Sequence, residues 1–105
     1  MTPKDGILIL DAERAVVVEA TPFLAELVGC SREELLGKPI REVDFPGVGL
    51  QGETLLEKVR RDGYVRYDGL PLRTGEGDSV LVDLVGNSYL VDGRTVIQFN
   101  VCDVT

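Results

Sequence analysis

The chain has 105 residues, of which 44% are hydrophobic, and its mean hydropathy is +0.08. This size predicts one domain, residues 1–105, with a single core, since a chain of this length removes roughly two-thirds of its unfolded surface from water. The net charge of −7 disfavours binding to nucleic acid or anionic lipid, and no apolar run approaches the roughly 20 residues that a membrane-spanning helix needs.

The cysteine and histidine content limits which metal sites, disulfides and catalytic groups the chain can have. Cys30 and Cys102 are the only cysteines, and their spacing fits neither a metal site nor a disulfide framework. The sequence has no histidine, which removes the commonest metal ligand and general base. The first residues lead into an apolar run without the features of a secretory leader. We therefore expect a cytoplasmic domain without direct membrane contact.

The chain opens with a predicted hairpin. Residues 7–10 are wholly apolar and bounded by turn residues, which predicts a strand buried on both faces. Residues 12–14 turn the chain, and residues 15–19 form a second strand rich in β-branched side chains. So short a connection cannot make a parallel crossover, so we expect an antiparallel pair.

Two short helices follow. Thr21 before Pro22 predicts an N-cap and a first helical residue, and Gly29 is placed to end this helix in the left-handed conformation. Ser31 and Glu34 have the spacing of a capping box, in which each side chain accepts a hydrogen bond from the other residue's backbone amide. A second helix should therefore begin just after Ser31.

The middle of the chain is predicted to be irregular and then helical. Residues 39–43 favour one further turn, and residues 45–49 break regular structure because a proline disfavours a helical residue before it. Residues 51–62 carry apolar side chains at helical spacing, which predicts the longest helix.

A third strand and a turn come next. Residues 64–73 read as a strand, and Gly69 and Pro71 within it favour an edge position or a bulge. Residues 74–78 supply only two carboxylates, too few for a cation site, so we interpret them as a hairpin turn.

Residues 80–105 carry the strongest local signal. Asp92 and Gly93 separate two β-rich runs, and this dipeptide favours a tight hairpin because it tolerates positive φ at both positions. In the first run we expect Val82 and Leu84 to point inward, because the other register would bury Asp83 without a partner.

The last run alternates between two sets of side chains. The set that should face the helices is Ile97, Phe99, Val101 and Asp103. The opposite face should present Val96, Gln98, Asn100 and Cys102. Both halves of the chain have their strands joined by tight turns, which predicts one five-stranded antiparallel sheet with short helices packed on one face, an α+β domain of two layers.

This order of elements resembles the PAS domain family along essentially the whole chain. The resemblance depends on four short stretches taken together: residues 5–7, residues 29–38, Asp92-Gly93 and Asp103-Val104-Thr105. The C-terminal stretch is similar to PAS modules of bacterial sensor histidine kinases and related signalling proteins. The resemblance implies a non-catalytic sensory module, excised from a larger protein, whose final strand leads into an output domain.

The resemblance also implies a ligand or redox-responsive pocket between the helices and the inner face of the sheet. Its candidate lining residues are Leu27, Phe45, Leu56, Val59, Tyr67, Phe99 and Val101. A pocket wall and a core have the same composition, so ordinary core packing is the competing interpretation. Asp103 and Thr105 are the candidate signal-output junction, with a plain strand-end cap as the alternative.

Two departures from the family bear on cofactors. Cys30 lies between Gly29 and Ser31 rather than in the helical context of the photoreactive flavin-binding branch, so covalent flavin photochemistry is disfavoured. The absence of histidine disfavours haem. The residues therefore identify no cofactor, and a domain that binds none is the alternative.

Several alternatives stay open at this point. Gln98, Asn100 and Cys102 are candidate interface residues of a homodimer, or an ordinary solvated sheet face. A ligand-free dimerisation domain, or a regulatory domain of a transcription regulator or cyclic-nucleotide signalling enzyme, would fit the same pattern. A small enzyme using Asp83 and Asp92 is a further rival, although lone carboxylates are weak support for catalysis.

Overall fold

The computed structural model describes residues 5–43, 55–73 and 79–104. The elements in these ranges are β1 (Asp5–Asp11), β2 (Val16–Ala20), α1 (Pro22–Val28), α2 (Arg32–Leu35), a 3-10 turn (Ile40–Glu42), α3 (Leu55–Asp62), β3 (Tyr64–Arg73), β4 (Ser79–Val91) and β5 (Arg94–Asp103). The predicted break at residues 45–49, the first residues of the predicted third helix and the turn at 74–78 lie outside the described residues.

The strands form one antiparallel sheet in the order β2-β1-β5-β4-β3. The predicted five-stranded sheet is thereby confirmed. The strand order adds that β5, the last element in the chain, lies at the centre of the sheet between β1 and β4. Residue partners such as Leu8 with Phe99 and Leu84 with Val101 fix this register.

One face of the sheet forms the core with the helices, and we call it the inner face. Fully buried side chains on it include Leu8, Leu10, Val82, Leu84, Ile97, Phe99 and Val101. The helices contribute Leu24, Leu35, Leu55 and Val59 to the same cluster. The predicted inward register of β4 and the predicted alternation of β5 are both confirmed.

The prediction that the first strand is buried on both faces is wrong. Leu8 and Leu10 are completely buried, whereas Ile7 and Ile9 are only partly buried. An antiparallel sheet with its helices on one side leaves the other side in water, so strict alternation applies even to a wholly apolar run.

The first two helices begin where expected, but Thr21 acts differently from the prediction. It has the extended backbone of an N-cap residue, yet its side chain makes no hydrogen bond to α1. Its Oγ1 instead accepts a hydrogen bond of 3.0 Å from the Ile7 amide of β1. Gly29 adopts φ of 82° and ends α1, as predicted.

The capping box of α2 is present in both directions. The Glu34 amide donates to Ser31 Oγ over 3.1 Å, and the Ser31 amide donates to Glu34 Oε1 over 3.2 Å. Arg32 also reaches back to β2, where its guanidinium pairs with the Glu19 carboxylate at 2.6 Å. The edge of β2 is covered by the following segment, since Val17 exchanges backbone hydrogen bonds with Gly37 and Lys38.

The other edge of the sheet is β3, and both features expected of it are found. It is the outermost strand, and its pairing with β4 shifts between Tyr67 and Leu70. Gly69 adopts φ of 68° in this bulge, and its amide donates to Asp83 Oδ1 over 2.9 Å. An irregular edge strand resists pairing with a strand from another molecule.

Candidate functional site

The predicted pocket residues that the structure describes lie in or against the apolar core between the helices and the inner face. Val59, Phe99 and Val101 are at most 1% exposed, and Leu27 is also buried. Leu56 and Tyr67 are partly buried and pack against the same cluster, whereas Phe45 lies outside the described residues. The structure therefore brings six of the seven residues to one layer, and a ligand-binding role for them stays a prediction.

Phe99 fills the centre of this layer by lying against a glycine. A Cβ atom placed on Gly86 would come within 2.7 Å of the Phe99 ring and 2.9 Å of the Val65 side chain. Gly86 pairs with Phe99 across β4 and β5, so the glycine makes room for the ring. Gly86 was not singled out from the sequence, although a glycine within a strand is a signal of close packing.

The interior of the described part of the chain is chemically uniform, since none of its buried residues is polar or charged. A polar pair lies at the margin of this interior. Lys58 of α3 donates a hydrogen bond of 2.7 Å to the Tyr67 hydroxyl of β3, and its Nζ lies 5.2 Å from the Tyr67 ring centre. Lys58 was not predicted, because its pairing with Tyr67 depends on how α3 packs on the sheet.

The other face of the sheet, which we call the outer face, presents the predicted interface residues. Gln98 links its neighbours, since its Oε1 accepts from the Tyr89 hydroxyl over 2.8 Å and its Nε2 donates to Asn100 Oδ1 over 2.9 Å. Around this polar row lie apolar side chains that are only partly covered, namely Ile7, Ile9, Leu81, Val85, Val91 and Val96. The outer face thus combines ordered polar groups with apolar surface.

Cys102 lies on the outer face between two acidic residues. Asp5 of β1 and Asp83 of β4 are its pairing partners on either side. A hydrogen bond with the Asp5 carboxylate raises the pKa of the Cys102 thiol, and desolvation and the negative charges of Asp83 and Asp103 act in the same direction. The thiol therefore stays protonated near neutral pH, which disfavours reactivity as a thiolate.

The candidate junction lies at the end of the central strand. Asp103 is the last residue of β5, is partly buried and pairs with Val82. The Val104 amide continues this pairing by donating to the Leu81 carbonyl over 3.0 Å. Thr105 lies outside the described residues.

The two acidic residues considered for catalysis are far apart. Asp83 lies within β4 and holds the bulge of β3, whereas Asp92 forms the tight turn after β4 with φ of 50°. Nine residues of extended chain separate them, which corresponds to roughly 30 Å. The structure does not bring these carboxylates together into a pair.

The chain forms a two-layer α+β domain. Its antiparallel sheet has the order β2-β1-β5-β4-β3, with the C-terminal strand at the centre and short helices on one face. The PAS domain of nitrogen regulation protein NR(II) from Vibrio parahaemolyticus has this fold, with a TM-score of 0.73 over 95% of this chain and 89% of that chain at 13% sequence identity. A PAS domain from a two-component sensor histidine kinase gives a TM-score of 0.72 over 94% of this chain and 84% of that chain at 15% identity.

A third similar structure is the light-state dimer of the fungal blue-light photoreceptor Vivid, with a TM-score of 0.70 over 97% of this chain and 79% of that chain at 14% identity. No protein-family model and no curated protein sequence matches the chain. The chain therefore has the PAS fold, which its sequence predicts. No helix in the described ranges is long and apolar enough to cross a membrane.

Proposed function

We propose that the chain is a non-catalytic sensory module of a bacterial signalling protein, specifically a sensor histidine kinase, in the cytoplasm. It would couple a small-molecule or redox signal, or contacts within a homodimer, to an output domain that follows it. The similar structures include a PAS domain from a two-component sensor histidine kinase and the light-state dimer of a photoreceptor, which supports this proposal.

The observation that carries the proposal is the position of β5. Its inner side chains Ile97, Phe99 and Val101 form the floor beneath the helices, while Gln98 and Asn100 on the same strand face outward. A change in the helical layer or at the outer face would therefore act on one strand, which ends at Asp103. A ligand shifts such an equilibrium only by its differential affinity for the two states.

Dimerisation through the outer face is the second part of the proposal. Five strands spaced about 4.8 Å apart present a face roughly 24 Å wide. Leu81, Tyr89 and Val91 lie on it and are 40–47% exposed, so this face offers apolar surface to a second copy of the chain. A standard interface buries about 800 Å² per partner, which sets the area that a homodimer through the outer face should bury.

A ligand-free dimerisation domain is a second candidate function, and one observation favours it. Phe99 lies directly against Gly86, so the protein's own side chain occupies the middle of the interior. Native mass spectrometry and an absorption spectrum of freshly purified protein distinguish the two candidates. Bound small molecules would support the sensory module, whereas a clean dimer mass would favour the ligand-free domain.

The relay role of β5 is tested in the full-length parent protein with Asp103→Ala. We expect the isolated domain to stay folded and the signalling output of the parent to change. Asp68→Ala is the matched control, because Asp68 is an exposed acidic residue on the edge strand β3. Output that is unchanged by Asp103→Ala, or changed equally by both variants, would contradict the relay role.

A further inference from the structure

Two turns meet at the end of the sheet opposite Asp103. β1 and β5 are antiparallel neighbours, so the β1–β2 turn lies beside the β4–β5 turn, and the Ala12 amide donates to the Thr95 carbonyl over 3.1 Å. Between the turns is an open groove of about 290 Å³, which we call the hairpin groove. Its lining residues are Asp11, Glu13, Arg14, Gly93, Arg94 and Thr95.

Hydrogen bonds fix the backbone of the turns that form the hairpin groove. The Asp11 carboxylate accepts hydrogen bonds from the amides of Glu13 and Arg14 over 2.9 and 3.0 Å, which fixes the first turn. Arg60 of α3 is exposed, and its guanidinium donates to the Ala12 carbonyl, with a distance of 2.9 Å from Nε. The groove is thus formed by two turns whose relative position is fixed by β5 and α3.

The lining of the hairpin groove carries both signs of charge in a small space. Two acidic residues and two arginines line it, together with Thr95. The hydrogen bond from the Arg14 amide lowers the pKa of the Asp11 carboxyl, as do the Glu13 amide and the charges of Arg14 and Arg94, against an opposing effect of desolvation. Asp11 therefore remains ionised at neutral pH, and the charge pattern persists.

We propose that the hairpin groove binds a small zwitterion such as a free α-amino acid, with the carboxylate against Arg14 and Arg94 and the ammonium group against Glu13. A simple anion would meet the two carboxylates and the chain's net charge of −7, and a simple cation would meet the two guanidiniums. Guanidinium groups bind carboxylates with paired, charge-assisted hydrogen bonds. The volume suits a ligand below the size of most drug-like molecules.

This site goes beyond the sensory function proposed above. It lies outside the apolar interior, at the first residues of β5, about eight residues or roughly 27 Å of extended strand from Asp103. The Ala12 carbonyl, next to the lining residue Asp11, accepts a hydrogen bond from Arg60 of α3, which links this turn to the helical layer. Occupancy of the hairpin groove is therefore a separate input to the same central strand.

The test is a titration of the ¹⁵N-labelled chain, followed by the backbone amide resonances of Gly93, Arg94 and Thr95. Glycine and L-serine are the probes, at concentrations up to about 10 mM, and acetate and methylammonium supply each charge alone. We expect saturable shifts with the amino acids and at least tenfold weaker binding of either single ion. No saturable shift with an amino acid, or equal binding of acetate, would overturn the proposal.

Arg94→Gln removes one guanidinium from the hairpin groove and is expected to weaken amino-acid binding about tenfold, which corresponds to about 1.4 kcal/mol. Arg66→Gln is the matched control, because Arg66 is 61% exposed, lies on β3 and pairs with Asp68 rather than lining the groove. Equal affinity in wild type and Arg94→Gln, or equal losses in both variants, would refute the assignment. The result is independent of whether the interior holds a ligand.

Discussion

Phe99 shows how a single side chain organises the interior. It is the largest of the fully buried side chains on the inner face, and it sits above Gly86 of the adjacent strand. Alternation within the last strand predicted its inward direction. The sequence could not predict that a glycine on β4 would be its neighbour, because that contact depends on the register between β4 and β5.

Phe99→Ala should therefore lower the free energy of unfolding by roughly 3–5 kcal/mol, since it removes a buried ring and leaves a cavity. Urea denaturation measures the change. Asn100→Ala is the control on the same strand, because Asn100 is exposed on the outer face, and we expect it to cost far less. Equal effects of the two substitutions would show that the assigned register of β5 is wrong.

Gly86→Ala tests the same contact from the opposite side. The new methyl group would overlap the Phe99 ring and the Val65 side chain, so we expect a loss of roughly 1–3 kcal/mol from overpacking. Val85→Ala, at the next position and pointing outward, controls for a small residue on this strand. A Gly86→Ala protein as stable as wild type, by thermal and urea denaturation, would mean that the ring does not lie against this glycine.

At the scale of the elements, the predictions that depend on residues close together in the sequence are confirmed. The capping box of α2, the left-handed Gly29 and the tight turn at Asp92 and Gly93 all form as predicted, because each is decided by local backbone chemistry. Thr21 is the exception. Its hydroxyl binds the amide of Ile7, a residue 14 positions away, and only the packing of α1 against β1 makes that contact available.

The capping box also gives α2 a pH dependence. A hydrogen bond from the Ser31 amide, together with one from the Ser31 side chain, lowers the pKa of Glu34 from its ordinary value of 4.5. A carboxyl group whose pKa is lower in the folded state stabilises the protein above its unfolded pKa and loses this effect as the pH falls through the folded value.

Glu34→Ala should therefore lower the midpoint of thermal unfolding at neutral pH, and its difference from wild type should shrink as the pH falls below 4.5. Glu33→Ala is the matched control, since Glu33 is an exposed residue in the same helix and outside the capping box. A deficit of Glu34→Ala that stays constant from neutral to acidic pH would show that the charge of Glu34 has no part in it.

At the scale of the whole molecule, the sequence predicted a single antiparallel sheet with helices on one face but not the order of its strands. Short turns determine that β1 pairs with β2 and that β4 pairs with both of its neighbours in sequence. The pairing of β1 with β5 joins the two ends of the chain, and no local signal specifies it. That pairing places the last strand in the centre and creates the hairpin groove.

The outer face makes a prediction about assembly. Tyr89→Lys introduces a charge beside Gln98 on the outer face, so we expect it to weaken a homodimer about tenfold or more, measured by analytical ultracentrifugation over a range of concentrations. Leu90→Lys is the matched control, because Leu90 is 70% exposed and alternation directs it to the other side of the strand. A monomeric wild type, or equal weakening by both variants, would argue against this interface.

The central claim is that β5 is the central strand of the sheet, and that changes at the inner face and at the outer face both act on it. Hydrogen–deuterium exchange of the isolated chain tests it most directly, since amides hydrogen-bonded on both sides of a central strand exchange more slowly than those of an edge strand. We expect the amides of Ile97 to Cys102 to be among the slowest and those of β3 to exchange faster. Exchange of β5 as fast as that of β3 would contradict the account.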